Sequence, residues 1–93
     1  MKNPRLTGGF GFVSRAVMAD PELSMKDKGL YSYLATYADS ATNELTVSVD
    51  RIAAECGITQ STVKRSLKSL ENKQIIKRVH RGSLKVKTTV LLK

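Results

Sequence analysis

Ser61, Lys64, Arg65 and Lys68 are spaced so that, at 3.6 residues per turn, all four fall on one arc of a helix. Two ammonium groups, a guanidinium fork and a hydroxyl on one convex surface suit contact with phosphates and base edges. Arg65 is the expected base reader, because its fork can engage guanine O6 and N7 together. Such chemistry is binding, with no bond made or broken. The residue sets that would argue for covalent chemistry are missing. One cysteine, Cys56, and one histidine, His80, can neither close an internal disulfide nor supply a four-ligand zinc site. Glu44 and Asp50 have no histidine or cysteine near them in sequence for acid–base work. The glycines around Phe10 and Phe12 lack the Lys-Ser/Thr ending of a phosphate loop. No catalytic residue, cofactor, metal or small-molecule substrate is expected, and the chain reads as a non-enzyme.

Net charge points the same way. The 93 residues carry 16 Lys+Arg against 8 Asp+Glu, a formal charge of +8. Residues 1–50 hold five basic and six acidic side chains, whereas residues 51–93 hold eleven basic against Glu55 and Glu71, so the whole excess lies in the second half. That half is where a polyanion would dock. A 41% hydrophobic fraction over this length supports one modest core. The longest apolar run falls far short of a membrane span, and Met1 leads into Lys2, Pro4 and glycines rather than a signal peptide. A cytoplasmic protein without a membrane partner is expected.

These side chains need elements to position them. Residues 1–9, with Pro4, Gly8 and Gly9, read as a flexible arm, and residues 10–93 as the folded domain. A brief helical turn through Ala16, Val17 and Met18 is interrupted at Pro21. Ser24 then caps a helix over Met25 to about Ala38, with Asp27 as a weak capping-box partner. Its inward stripe is read as Leu30, Leu34, Tyr37 and Ala41, flanked by Tyr33. The tyrosines at 31, 33 and 37 suit core or dimer contacts better than stacking on bases. Gly29 inside this helix implies close approach of a neighbour. Leu45-Thr46-Val47 reads as a short strand, and Ser48 caps a second helix that buries Val49, Ile52, Ala53 and Cys56 until Gly57 stops it. Thr59 caps a third helix, Gln60 to about Lys73, with Val63, Leu67 and Leu70 inward. Two β runs follow, Ile75–His80 and Leu84–Leu92, joined across Gly82; their alternation puts Lys85, Lys87, Thr89 and Leu91 on the exposed face.

A tight helix-turn-helix followed at once by a basic hairpin describes an α+β, mainly α, winged helix-turn-helix: three core helices and a C-terminal wing. A helix about 10–12 Å across fits the major groove of DNA, and a hairpin reaches the adjacent backbone. The expected partner is double-stranded DNA. Gln60, Ser61, Thr62, Lys64, Arg65 and Lys68 are assigned to the helix side of the interface, with Gln60 and Thr62 near phosphates at its start. Lys77, Arg78, Arg81, Lys85 and Lys87 are assigned to backbone contacts from the wing. Arg51 could reach a phosphate from the exposed side of the preceding helix. The spacing does not decide whether the chain pairs as a homodimer through the arm or the tyrosine helix.

The stretches FVSRAVMADPELSMKDKGLYSYLATYAD and LTVSVDRIAAECGITQSTVKRSLKSLENKQIIKR resemble the winged helix-turn-helix domain of bacterial phage and plasmid replication initiation proteins and small mobile-element regulators. The resemblance covers roughly residues 12–81. It implies a small sequence-specific transcriptional regulator of a mobile element, because initiators usually carry a further C-terminal domain and this chain ends at Lys93. The alternatives are an origin-binding module or accessory replication factor, or a winged helix that binds an acidic protein. The family usually has a glycine just before the first wing strand. Here Gln74 stands there, so the left-handed residue is expected earlier, at Asn72.

Overall fold

Every helix described in the computed structural model begins at a hydroxyl cap. Its described residues are 11–80 and 86–93. Ser14, Ser24, Ser48 and Thr59 sit in extended backbone, and each side-chain oxygen accepts from the amide three residues on, at 3.1–3.4 Å. Each such cap satisfies an amide that has no partner inside its helix and is worth about 1 kcal/mol. The capped helices are α1 (Arg15–Met18), α2 (Met25–Tyr37), α3 (Val49–Cys56) and α4 (Gln60–Asn72). Among the described residues there are also three strands: β1 (Glu44–Thr46), β2 (Ile76–Val79) and β3 (Thr88–Leu91). The architecture is α+β, mainly helical, a winged helix-turn-helix. The proposed arm, residues 1–9, lies outside the described residues.

Helices α3 and α4 meet at the turn the sequence implied. Gly57 takes the left-handed conformation at φ 68°, and Ile58 donates its amide to the Ala53 carbonyl at 3.1 Å. Thr59 then opens α4. Leu30, Tyr31, Leu34, Ile52, Val63, Leu67, Leu70, Ile75 and Ile76 form the core between α2, α3, α4 and the sheet. The inward stripe of α2 differs from its expected composition. Tyr31 is buried and Tyr37 is 56% exposed, while Ala41 lies in the turn beyond the helix. The inward arc is centred on Leu34, between Leu30 and Tyr31, so Tyr37 falls off its edge. Asp27, expected only as a capping partner, is buried and accepts from Ser69 Oγ at 2.7 Å, fastening α2 to α4.

The wing hairpin is joined by a third strand. β1 pairs antiparallel with β3, and β3 with β2, in the order β1-β3-β2. Thr46 and Thr88 share a hydroxyl hydrogen bond at 2.9 Å on one face. The other face packs on the core through Leu45, Ile76 and Leu91, with Thr89 fully buried beside them. The expected alternation along the last strand is therefore not kept: Thr88 and Thr89 are both buried, one on each face of the sheet. Thr89 and Leu91 turn inward, and Leu92 is 49% exposed. Docking of β1 on the far edge of β3 decides this, and no local pattern reports it.

The chain leaves α4 through a residue in a costly conformation. Gln74, not Asn72, is left-handed, at φ 59°. Gln74 N–H reaches the Glu71 carbonyl and Ile75 N–H the Leu70 carbonyl, both at 2.9 Å, which closes the helix end and delivers Ile75 to the core. Gln74→Gly is expected to raise stability by about 0.5–1 kcal/mol, read as a shift in the denaturation midpoint. Gly29 also departs from its expected role, since a Cβ built there meets nothing within 4 Å. No neighbour among the described residues requires glycine. Gly29→Ala is expected to raise the unfolding free energy by about 1 kcal/mol in the same measurement, through helix propensity alone.

Candidate nucleic-acid interface

Burying Val63, Ser66, Leu67 and Leu70 on one side of α4 forces Ser61, Lys64, Arg65, Lys68 and Asn72 to the other. All five are exposed. Lys64, Arg65 and Lys68 make no hydrogen bond or ion pair with the described residues, where the one salt bridge is Arg51–Glu55. Three unneutralised cations therefore share the open face of one helix. Arg65 and Lys68 also line a shallow cleft with Ser69, Asn72 and Lys73. Gln60 is exposed at the first turn. Thr62 is half-buried and its hydroxyl is engaged with that of Thr59 at 2.9 Å, so the cap holds the group that was assigned to phosphate.

The wing residues divide between two faces. Lys77 and Arg78 are consecutive on β2 and so project oppositely. Lys77 is exposed, whereas Arg78 is half-buried and donates from Nε to Thr89 Oγ1 at 3.3 Å. Burial pushes the Arg78 pKa down, opposed by the charge of Glu71. Arg78, His80, Val86 and Lys87 line a cleft of about 350 Å³ whose remaining walls are Ser48 and Val49, at the start of α3. A partly desolvated guanidinium, a lysine, a histidine and the first residues of a helix thus line one cleft whose walls, among the described residues, carry no carboxylate. Ser48, Val49 and His80 were not assigned to the interface from sequence; the cap at Ser48 was legible, but its place beside the wing was not. Arg81 and Lys85 lie outside the described residues.

A family profile described as a helix-turn-helix domain matches residues 22–76, from the approach to α2 to the first residue of β2. The chain belongs to the helix-turn-helix domain family. No curated protein matches it. Within this helix-turn-helix domain α3 and α4 are the paired helices, and the open cationic arc lies on the second. The matched span leaves β3 and most of β2 outside, so the wing-root cleft is a feature of the structure rather than of the match.

Arg51 and Glu55, exposed on α3, are engaged with each other and with Tyr33. Arg51 Nε holds Glu55 Oε2 at 3.2 Å, and Tyr33 OH donates to Glu55 Oε1 at 2.6 Å. The Glu55 carboxyl is held below its usual range by the Tyr33 hydrogen bond and then by Arg51. The Tyr33 phenol is pushed up by burial and by Glu55. Glu55 therefore stays ionised and Tyr33 protonated across neutral pH. Cys56 is half-buried against the core as expected, and burial raises its thiol pKa, which disfavours the reactive thiolate. Among the described residues no cluster of three or more His, Cys, Asp or Glu could hold a metal, and no helix is long and apolar enough to cross a membrane.

Proposed function

We propose that residues 10–93 act as one unit that binds double-stranded DNA sequence-specifically, with α4 in the major groove and the wing on the backbone. The observation that carries this reading is the arc of Lys64, Arg65 and Lys68, exposed and unpaired on the second helix of a helix-turn-helix. Solvation alone does not call for cations gathered on one helix face without alternating acids. Arg65 reads a base edge, and Ser61, Lys64 and Lys68 set the depth and register of the helix. The wing-root cleft of Arg78, His80 and Lys87 at the start of α3 takes a backbone phosphate, and Lys77, Arg81 and Lys85 extend the contact along the strand.

The biological role that follows is a small bacterial transcriptional regulator of a mobile element, acting in the cytoplasm by occupying an operator and making no covalent change. Sequencing the DNA fragments that the purified protein retains tests it. Single sites overlapping promoters support a regulator, and arrays of repeated sites at an origin support the replication role instead. A gel shift with random duplex at low salt tests DNA binding itself, and no shift at any protein concentration would remove it. In the same assay, Lys64→Ala and Lys87→Ala are each expected to flatten the slope of log affinity against log salt by about 0.9 per lost phosphate contact. An unchanged slope for Lys87→Ala would place the wing off the duplex.

A further inference from the structure

The outward face of α2 combines exposed apolar side chains with a mid-helix glycine. Around the helix, Met25, Gly29, Thr36 and Tyr37 are exposed and Tyr33 is half-buried at the edge of the core, with Lys26 and Lys28 the charged residues at the margins of this face. Met25 is 77% exposed, and the rings of Tyr33 and Tyr37 stand 5.0 Å apart, tilted against each other. Beside them Lys26, Gly29, Leu30, Cys56 and Ile58 line a shallow, mostly apolar groove of about 310 Å³. Gly29, at the middle of this face, weakens the helix, and among the described residues no atom outside the local helix backbone stands within 4 Å of where its Cβ would be. A glycine that no described neighbour requires, on a face whose charges lie at its margins, is a place where another backbone can approach closely.

We propose that this face is the two-fold interface of a homodimer, with the α2 helices crossing antiparallel at Gly29 and Lys26 of each copy meeting Glu55 of the other. Charge complementarity selects a second copy as the occupant. At its margin the face has a cation, Lys26, toward the start of α2, and a carboxylate, Glu55, held over Tyr33 toward its end. A two-fold axis through Gly29 brings position 26 of one helix opposite positions 32–33 of the other, where Tyr33 carries Glu55. Each of these pairs then occurs twice, as an isologous interface requires. Tyr33 and Arg51 take one oxygen of Glu55 each, which leaves lone pairs for an incoming ammonium. The same axis sets Met25 against the Tyr33 ring of the other copy, a sulfur–aromatic contact. The opposite side of α2 is bolted to α4 through Asp27 and Ser69, so the cationic arcs stay turned away from the contact despite the net charge of +8. One helix face and a turn make an interface below about 1,200 Å², which places the dimer in the weak class.

Sedimentation equilibrium of the full chain from about 5 to 200 μM, a range bracketing weak association, tests this without DNA. The expected result is a concentration-dependent monomer–dimer equilibrium. Gly29→Gln, Lys26→Glu and Glu55→Lys should each raise the dimer dissociation constant by about tenfold or more, with helical circular dichroism retained. The double variant Lys26→Glu/Glu55→Lys should recover most of the wild-type association. Glu55→Gln keeps an acceptor for Tyr33 and should weaken the dimer without unfolding the chain. A wild-type monomer at every concentration, a Gly29→Gln dimer as tight as wild type, or a charge swap no better than its single variants would each overturn the proposal. A gel shift on the same samples reads DNA binding separately, so either reading can fail while the other stands.

Discussion

Replacing Tyr31 by alanine is expected to lower the unfolding free energy by about 3–5 kcal/mol, the range for losing a buried aromatic ring. Tyr31 is 1% exposed and sits among Leu30, Leu34 and the residues of α4 and the sheet that close over them. Its hydroxyl has a second role. It accepts from the Ser14 amide at 2.8 Å and donates to the Lys93 carbonyl at 3.0 Å, so one atom ties the segment before α1 to the segment after β3. Tyr31→Phe separates the two contributions. It keeps the ring, strands one donor and one acceptor that are only part-buried, and is expected to cost about 1–2 kcal/mol. Urea denaturation of both variants checks this. A phenylalanine variant as stable as wild type would mean that water replaces both partners, and an alanine variant losing under about 2 kcal/mol would mean that the ring is not core.

Arg65→Ala is expected to cost about 1–3 kcal/mol at the preferred DNA site, the range for one bidentate base contact, and to relax discrimination at one base position. The basis is its place at the middle of α4, on the outward arc and without a partner among the described residues that would have to be broken first. Competition binding against sites varied at each base in turn measures it. Equal loss on every sequence would demote Arg65 to a phosphate contact. The fold should not change, because the side chain is exposed and its removal leaves Val63, Leu67 and Leu70 in place. Arg78→Ala is the useful contrast, since Arg78 is half-buried against Thr89 and its loss disturbs packing as well as charge.

Much of this was legible along the chain. The four caps lie at Ser14, Ser24, Ser48 and Thr59, and the sequence marked three of them by a hydroxyl ahead of an apolar period. The turn at Gly57 and the sidedness of α4 follow from the same local rules, because they depend on residues within one or two turns of each other. The outward arc of Ser61, Lys64, Arg65 and Lys68 needed nothing more than helical geometry. Gln74 is an instructive miss. A cost of about 1 kcal/mol argues against a left-handed glutamine, yet burial of Ile75 and Ile76 just beyond it outweighs that penalty.

What the one-dimensional string determined by itself is thus a set of helices with their caps, their order, and the side of α4 that carries charge, since each follows from spacings of three, four or seven residues. Tertiary structure alone decided which face of the last strand turns inward, that Tyr31 rather than Tyr37 fills the core, and that Arg78 and Lys87 meet the start of α3. The physical reason is separation: β1 pairs with β3 across more than forty residues and Tyr31 reaches Lys93 across 62. Contacts of that span are settled by which apolar surfaces close together, and no periodicity within a single element encodes them.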